Sequence, residues 1–361
     1  MAHTSVERPD APTRDTRAGE RDRPVEPPKD RDAFFDNAKF FAIMLVVVGH
    51  CLAPLRHDHL RLASAGYMWI YIFHMPAFIL IAGYFTKNFQ ATPRKIQRLI
   101  GGVVVPYLIF EVLYTAQLLW TRPDDPPHWS LLTPVWLDWF LASLFMWRLT
   151  SPIWRYIRWP LAVATGVSLL AGMGDFGSAL GMTRTLQMLP FFVLGMVLRR
   201  EHFAWLHRPW VRAAAVAVLA VSALVVLFYL YDASAEWVYW RKTLTDRDVD
   251  LVYGTLVRAG MLAGTVVITL SFLAVIPTKR HWFTSLGAGT IYAYLLHGLV
   301  LRTVEHFGVL DHVHSYAGLA IVVVVAIGVA VLLMSAPVRW LTRWAVEPNV
   351  PWLFPKSPPA L

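Results

Sequence analysis

Lys39 and His50 stand eleven residues apart in the run "KFFAIMLVVVGH", with only apolar side chains and one glycine between them. At about 100° per residue, eleven residues make roughly three turns plus 20°. Both side chains therefore lie on one helix face, about 16 Å apart along the axis. An ammonium at one end of such a stripe attracts anions. An imidazole at the other, with an ordinary pKa of about 6.5, takes up and gives back protons at neutral pH. Two more histidines sit in apolar runs, His74 in "YIFHMPAFILIAGYF" and His297 in "IYAYLLHGLV", and Glu111 sits in "PYLIFEVLY". An ionisable group inside an apolar span is costly, so it is hidden in protein or lines a functional path. Three imidazoles and a carboxylate at one depth predict a shared polar chamber. Plainer readings stand beside this one. A lysine at a helix end can snorkel to the interface, a buried histidine can merely bridge two helices, and Glu111 then pairs with a histidine.

The elements that must position these groups are membrane spans. The chain has 361 residues, of which 56% are hydrophobic and 16% charged; a soluble domain averages about 25% charged. Apolar runs of spanning length recur along it. They predict an all-α, polytopic integral membrane protein of about ten transmembrane helices, near 38–56, 66–86, 98–120, 131–149, 157–173, 185–198, 210–231, 252–276, 285–304 and 316–338. Pro190 makes the sixth span the weakest, and glycines interrupt the fifth. The composition of residues 1–33 predicts a polar, disordered cytoplasmic tail without the apolar core of a signal peptide. Residues 34–340 form the transmembrane domain and 341–361 a cytoplasmic C-terminal tail. With both termini cytoplasmic, 24 of the 33 Lys and Arg residues fall on the inner side and 9 on the outer, as the positive-inside rule requires of a plasma-membrane protein. The net charge of +9 thus reports topology and not a nucleic-acid partner. This drawing puts His50, His74 and His297 near mid-membrane and Lys39 at the cytoplasmic boundary. The stretch 232–251 becomes the longest outer loop, placed to cover a substrate.

Other chemistries lack their residues. One cysteine, Cys51, excludes an intramolecular disulfide. His57-Asp58-His59 and Asp311-His312-Val313-His314 resemble ligand clusters, but they fall in outer loops without further close ligands and read as solvated loop residues, so no metal is expected. No Gly-rich phosphate loop, zinc-type cysteine pattern or serine nucleophile elbow is present.

Across residues 34–338 the sequence resembles the acyltransferase-3 family of integral-membrane acyltransferases, in its fucose 4-O-acetylase-like branch. The signature is a basic residue, ten residues, then histidine in the first span, here Lys39 and His50 within "FFDNAKFFAIMLVVVGH", which also carries Asp36. "FHMPAFILIAGYF" resembles the second-span motif and contains His74; Ala82-Gly83-Tyr84 stands where the family usually has Ser-Gly-Phe or Ser-Gly-Tyr. Lys95 and Arg98 match a basic-x-x-Arg motif on an inner loop, and "DWFLASLF", "LPFFVLG" and "YLLHG" match later blocks at Trp139, Pro190 and His297.

The resemblance implies transfer of an acyl group, commonly acetyl, from acyl-CoA to a hydroxyl of a carbohydrate or secreted small molecule. The partners are then the lipid bilayer, acyl-CoA as donor substrate and the acceptor, with no permanently bound cofactor. Lys39, Lys95 and Arg98 would hold the donor's phosphates, and its pantetheine arm would reach His50 through a tunnel shared with Lys39. His50 would act as general base, a covalent acyl-imidazole being the alternative. His74 would orient His50, bind acceptor or relay a proton; Asp36 would position Lys39 or stabilise the helix start; Trp139 would wall the cavity or only pack. Two rival classes remain at this level: a transporter with a midplane histidine relay, and a non-catalytic membrane sensor or scaffold.

Overall fold

The structure is a computed structural model that describes residues 32–57, 60–125, 130–174, 176–177 and 179–354. Most of the N-terminal tail (1–31), Asp58 and His59 of the first loop cluster, and 355–361 of the C-terminal tail lie outside the described residues. The described residues are mostly helical, with no strand among them.

Among the described residues, seven helices are long and apolar enough to cross a membrane. They are α1 (Ala33–Leu52), α2 (Arg61–Thr86), the continuous α3–α4 (Pro93–Leu99 and Val105–Thr121), α10 (Pro209–Val225, extended to Leu230), α12 (Leu251–Val275), α13 (Thr290–His306, led by a 3₁₀ stretch from Trp282) and α14 (Tyr316–Leu333). Counting the bent pair α7 (Met182–Gln187) and α8 (Leu189–Val197) as one span makes eight. The expected fourth and fifth spans, α5 (Trp139–Trp154) and α6 (Pro160–Met173), have only 16 and 14 residues, short of the roughly 20 a straight crossing needs. The expected sixth span breaks by 58° between Gln187 and Leu189, just before Pro190, whose missing N–H suits a helix start but not an interior. Short helices α9 (Arg200–Leu206), α11 (Glu236–Tyr239) and α15 (Ala336–Val346) complete the order.

α1 is the central helix. Of its most apolar window 78% is buried, against 11% for α10 and 22% for α14. A helix apolar all round is buried in a core or faces lipid; α1 does the first, α10 and α14 the second. Around α1 pack α2, α13, α14 and the stretch 282–289. Its first turn is pinned there: Asn37 Nδ2 donates to the carbonyls of Pro277 (2.8 Å) and Lys279 (2.9 Å), and Thr284 Oγ1 donates to Asn37 Oδ1 (2.7 Å). α1 stops at Leu52, two residues before Pro54.

α2 crosses α8 at backbone contact. A methyl on Gly83 would strike the Phe192 carbonyl, and one on Gly195 the Leu80 carbonyl. Small residues at a crossing permit such approach within a membrane, where apolar surface alone does not draw helices together. Pro106 would leave a continuous α3–α4 one N–H short. Five residues before it, Ile100–Val104, take up the strain as a π segment. Tyr114 Oη donates to the Leu295 carbonyl (2.7 Å) and Gln117 Nε2 to that of Leu299 (2.7 Å), which locks α4 against α13.

Candidate active site

α1, α2 and α13 bring all three span histidines together. Tyr71 links two of them: its hydroxyl lies 3.0 Å from His50 Nδ1, and its ring centroid lies 4.7 Å from that of His74. His297 lies on the other side, 5.3 Å from the His50 ring. His74 and His297 each point Nδ1 at a carbonyl one turn back, Ile70 and Ala293, both at 2.8 Å. A carbonyl only accepts, so Nδ1 carries the proton and Nε2 of the neutral ring keeps its lone pair. On His297 that Nε2 is buried without a partner.

His50 and His74 open into a cavity of about 300 Å³ with an aromatic and cationic lining: Tyr67, Tyr71, Trp136, Trp139, Tyr239 and Tyr294, with Arg184, Arg241, Arg302 and Glu305. His297 packs behind His50 and is not part of the wall. Trp136 meets the His50 ring edge-on (5.1 Å, 85°). It sits on the coil between α4 and α5 with φ +46°, a strained value for a bulky residue. Two helices, α4 and α13, hold that coil. Tyr107 Oη donates to the Leu131 carbonyl (2.7 Å), Tyr294 Oη to the Leu137 carbonyl (2.5 Å), and the Val135 N–H donates to the Glu111 carboxylate (3.0 and 3.2 Å). The expectation that Glu111 pairs with a histidine is corrected here. Its carboxylate faces the coil, where a backbone donor needs an acceptor, and so stands one layer behind the ring.

The opposite wall is equally fixed. Ser143 and Thr185 hydroxyls lie 2.6 Å apart, and Trp147 Nε1 donates to the Thr185 carbonyl (3.1 Å). These bonds tie α7 to α5 and set the Arg184 guanidinium 4.4 Å over the Trp139 ring. Val238, Tyr239 and Arg241 of the long loop complete the lining. Tyr239 shares a short hydrogen bond with Tyr67. Arg258 of α12 anchors the loop through the Lys242 carbonyl (2.5 Å) and the Gln187 side chain, and the Leu244 N–H donates to the Gly172 carbonyl (2.7 Å).

Lys39 stands apart from this cavity. Its Nζ pairs with Asp36 Oδ1 at 2.7 Å. On the face it shares with His50, Ile43 (0% exposed) and Val46 (1%) fill the interval. The shared tunnel expected from their common face is therefore closed in this conformation, because that face is packed with apolar side chains. Lys95 and Arg98 lie near the same end of the bundle, lining a shallow pocket with Asn88, Phe89 and Arg148. Asp311 and His312 lie in the short 3₁₀ turn 309–312 after α13. Among the described residues no three of His, Cys, Asp and Glu are grouped closely enough to hold a metal.

Several lining residues carry no obvious motif. Tyr67, Tyr71 and His74 fall at i, i+4 and i+7 of α2, a one-face spacing that marks the tyrosines once His74 is suspected. Arg184 and Arg302 read in the sequence only as charges at span ends.

A sequence model described as "Acyltransferase domain", that of the acyltransferase-3 family, matches residues 32–338. The chain belongs to the acyltransferase-3 family. It is a membrane O-acyltransferase, which decides against the transporter and the scaffold. Two curated relatives match along most of their length. The Nodulation protein NolL of Mesorhizobium japonicum is 25% identical over 336 residues, covering 87% of each chain. That of Sinorhizobium fredii is 26% identical over 338 residues, covering 87% of this chain and 89% of its own. No solved structure matches. Within this acyltransferase the histidine cavity is the candidate active site.

Proposed function

We propose that this protein transfers an acetyl group from acetyl-CoA to a hydroxyl of a carbohydrate or secreted small molecule, with His50 as general base. The carrying observation is the His50–Tyr71 contact of 3.0 Å at the wall of the aromatic cavity. With Nδ1–H donating to the Tyr71 oxygen, His50 presents the lone pair of Nε2. That nitrogen takes the acceptor's hydroxyl proton, the oxygen attacks the thioester carbonyl, the C–S bond breaks, and the imidazolium returns its proton to the thiolate of CoA. Aromatic faces suit a sugar-sized acceptor, and His74 orients it through its free Nε2.

The positive-inside count supports plasma-membrane insertion with both termini cytoplasmic. The His50 cavity, lined by Ala53 just past the C-terminal end of α1, then opens outward, and the Lys95–Arg98–Arg148 pocket faces the cytoplasm. Lys95 and Arg98 hold the donor's phosphates there. Asp36 orients Lys39 at the inner end of α1, and Lys39 guides the pantetheine arm. The layer of Ile43 and Val46 parts to let the thioester reach His50.

The test is acyl transfer from radiolabelled acetyl-CoA by purified protein in lipid nanodiscs. His50→Ala should lose about 10²–10⁴-fold in rate while inserting normally; full activity would refute the assignment. Incubation with donor alone should leave the protein unlabelled. A labelled His50 peptide would replace the general-base step by an acyl-imidazole.

A further inference from the structure

Three arginines line the cavity of His50, and they differ in what neutralises them. Arg241 is gripped by Glu236 through two bonds, Nη2 to Oε1 at 2.5 Å and Nε to Oε2 at 3.1 Å. Arg302 faces Glu305 at 3.7 Å and lies 4.4 Å over the Trp136 ring. Arg184 has neither a carboxylate within ion-pair distance nor a hydrogen-bond acceptor among the described residues, and its Nε is buried without a partner.

A guanidinium set among aromatic rings is costly to bury until a counter-charge completes it. Stacking on Trp139 satisfies one face of the guanidinium and leaves its edge free. That edge presents parallel N–H donors, the geometry that grips carboxylate and phosphate. A volume of about 300 Å³ is at the small end of ligand pockets, which run roughly 300–1,000 Å³. It fits one sugar-sized molecule and not a whole nucleotide donor.

Building on the acceptor role proposed above, we propose that Arg184 is an anion anchor: the hydroxyl compound delivered to His50 carries a phosphate or a carboxylate, and Arg184 binds it. Arg302 supplies a second, half-compensated cation in the lining. The anion is held and not consumed; the transferred proton and acyl group follow the path already given.

Binding is measured by isothermal titration on the full-length protein in nanodiscs, so that no turnover is needed. The probes are glucose 1-phosphate, glucuronate and the uncharged control glucose. One anionic probe should bind at least tenfold tighter than glucose, and which of the two does so distinguishes phosphate from carboxylate. Arg184→Gln should abolish the preference while CoA affinity stays unchanged; Arg184→Lys should retain part of it. Equal binding of all three probes, no binding of either anion, or a preference that survives Arg184→Gln would overturn the anchor. Loss of CoA affinity in Arg184→Gln, with CoA affinity intact in Arg184→Lys, would move the residue to the donor site and overturn it too. An anion preference in a protein that transfers no acyl group would leave the anchor standing and sink only the acceptor reading.

Discussion

At the scale of single residues, His50 depends on Tyr71. Proton transfer to Nε2 makes an imidazolium, and the Tyr71 oxygen 3.0 Å from Nδ1 accepts a stronger bond from that charged ring than from the neutral one. Removing the oxygen in Tyr71→Phe should cost about one hydrogen bond's net worth, roughly 1–1.5 kcal/mol, or about a tenfold fall in kcat. Steady-state kinetics should show the KM for acyl-CoA unchanged. A kcat equal to the parent enzyme's would remove Tyr71 from the mechanism. The histidines were legible in the sequence because an ionisable ring in an apolar run has no cheap bland place to go. Tyr71 was not, because a tyrosine in a span packs as readily as it reacts. Arg184 was hidden for a related reason: a cation at the edge of an apolar run looks like a boundary anchor until a fold shows which way it turns.

Elements set the two walls of the site. The coil bearing Trp136 at φ +46° packs Val135, Trp136 and Leu137 against the core and is tied by donors and acceptors from α4 and α13. Glu111 supplies the acceptor for Val135 N–H. Glu111→Ala should therefore loosen the coil and lower acyl transfer at least tenfold, whereas Glu111→Gln, which keeps an accepting oxygen, should restore most of it. Equal loss in both variants would mean that the negative charge, and not the bond to Val135, is what matters. On α2, Gly83→Ala drives a methyl into the Phe192 carbonyl. Overpacking of this kind costs about 1–3 kcal/mol, and a lowered midpoint of thermal unfolding in detergent should report it; an unchanged midpoint would show that the α2–α8 crossing can yield. The same contact explains why glycine is kept in Ala82-Gly83-Tyr84 even where the family's usual serine is absent. Helix positions in α1, α2, α12, α13 and α14 followed from apolar runs alone. α5, α6 and the bent α7–α8 pair were less legible: helices of 16 and 14 residues and a 58° bend fall short of a straight crossing, and composition does not say how a short or broken span is set.

The molecule as a whole separates two charged ends. One end of the bundle carries Lys39, Lys95, Arg98 and Arg148, and the other carries the arginine-lined cavity; buried Ile43 and Val46 lie between them on α1. Which end meets the cytoplasm decides which substrate each can take, because a polyanionic CoA thioester is made inside the cell and does not cross hydrocarbon unaided. The excess of Lys and Arg on the first end argues that it is the inner one. The lone Cys51 makes this testable by labelling: in a Cys51→Ser background, single cysteines are placed at the exposed positions Ser234, in the long loop, and Gln90, between α2 and α3. A membrane-impermeant maleimide applied to intact cells, or to spheroplasts where a wall or outer membrane intervenes, should label Ser234→Cys, and should label Gln90→Cys only after lysis. The reverse pattern would turn the molecule over. The arginine-lined cavity would then face acyl-CoA directly, the closed layer at Ile43 and Val46 would no longer need to open for the donor, and Arg184 would have to be reassigned from the acceptor to the thioester.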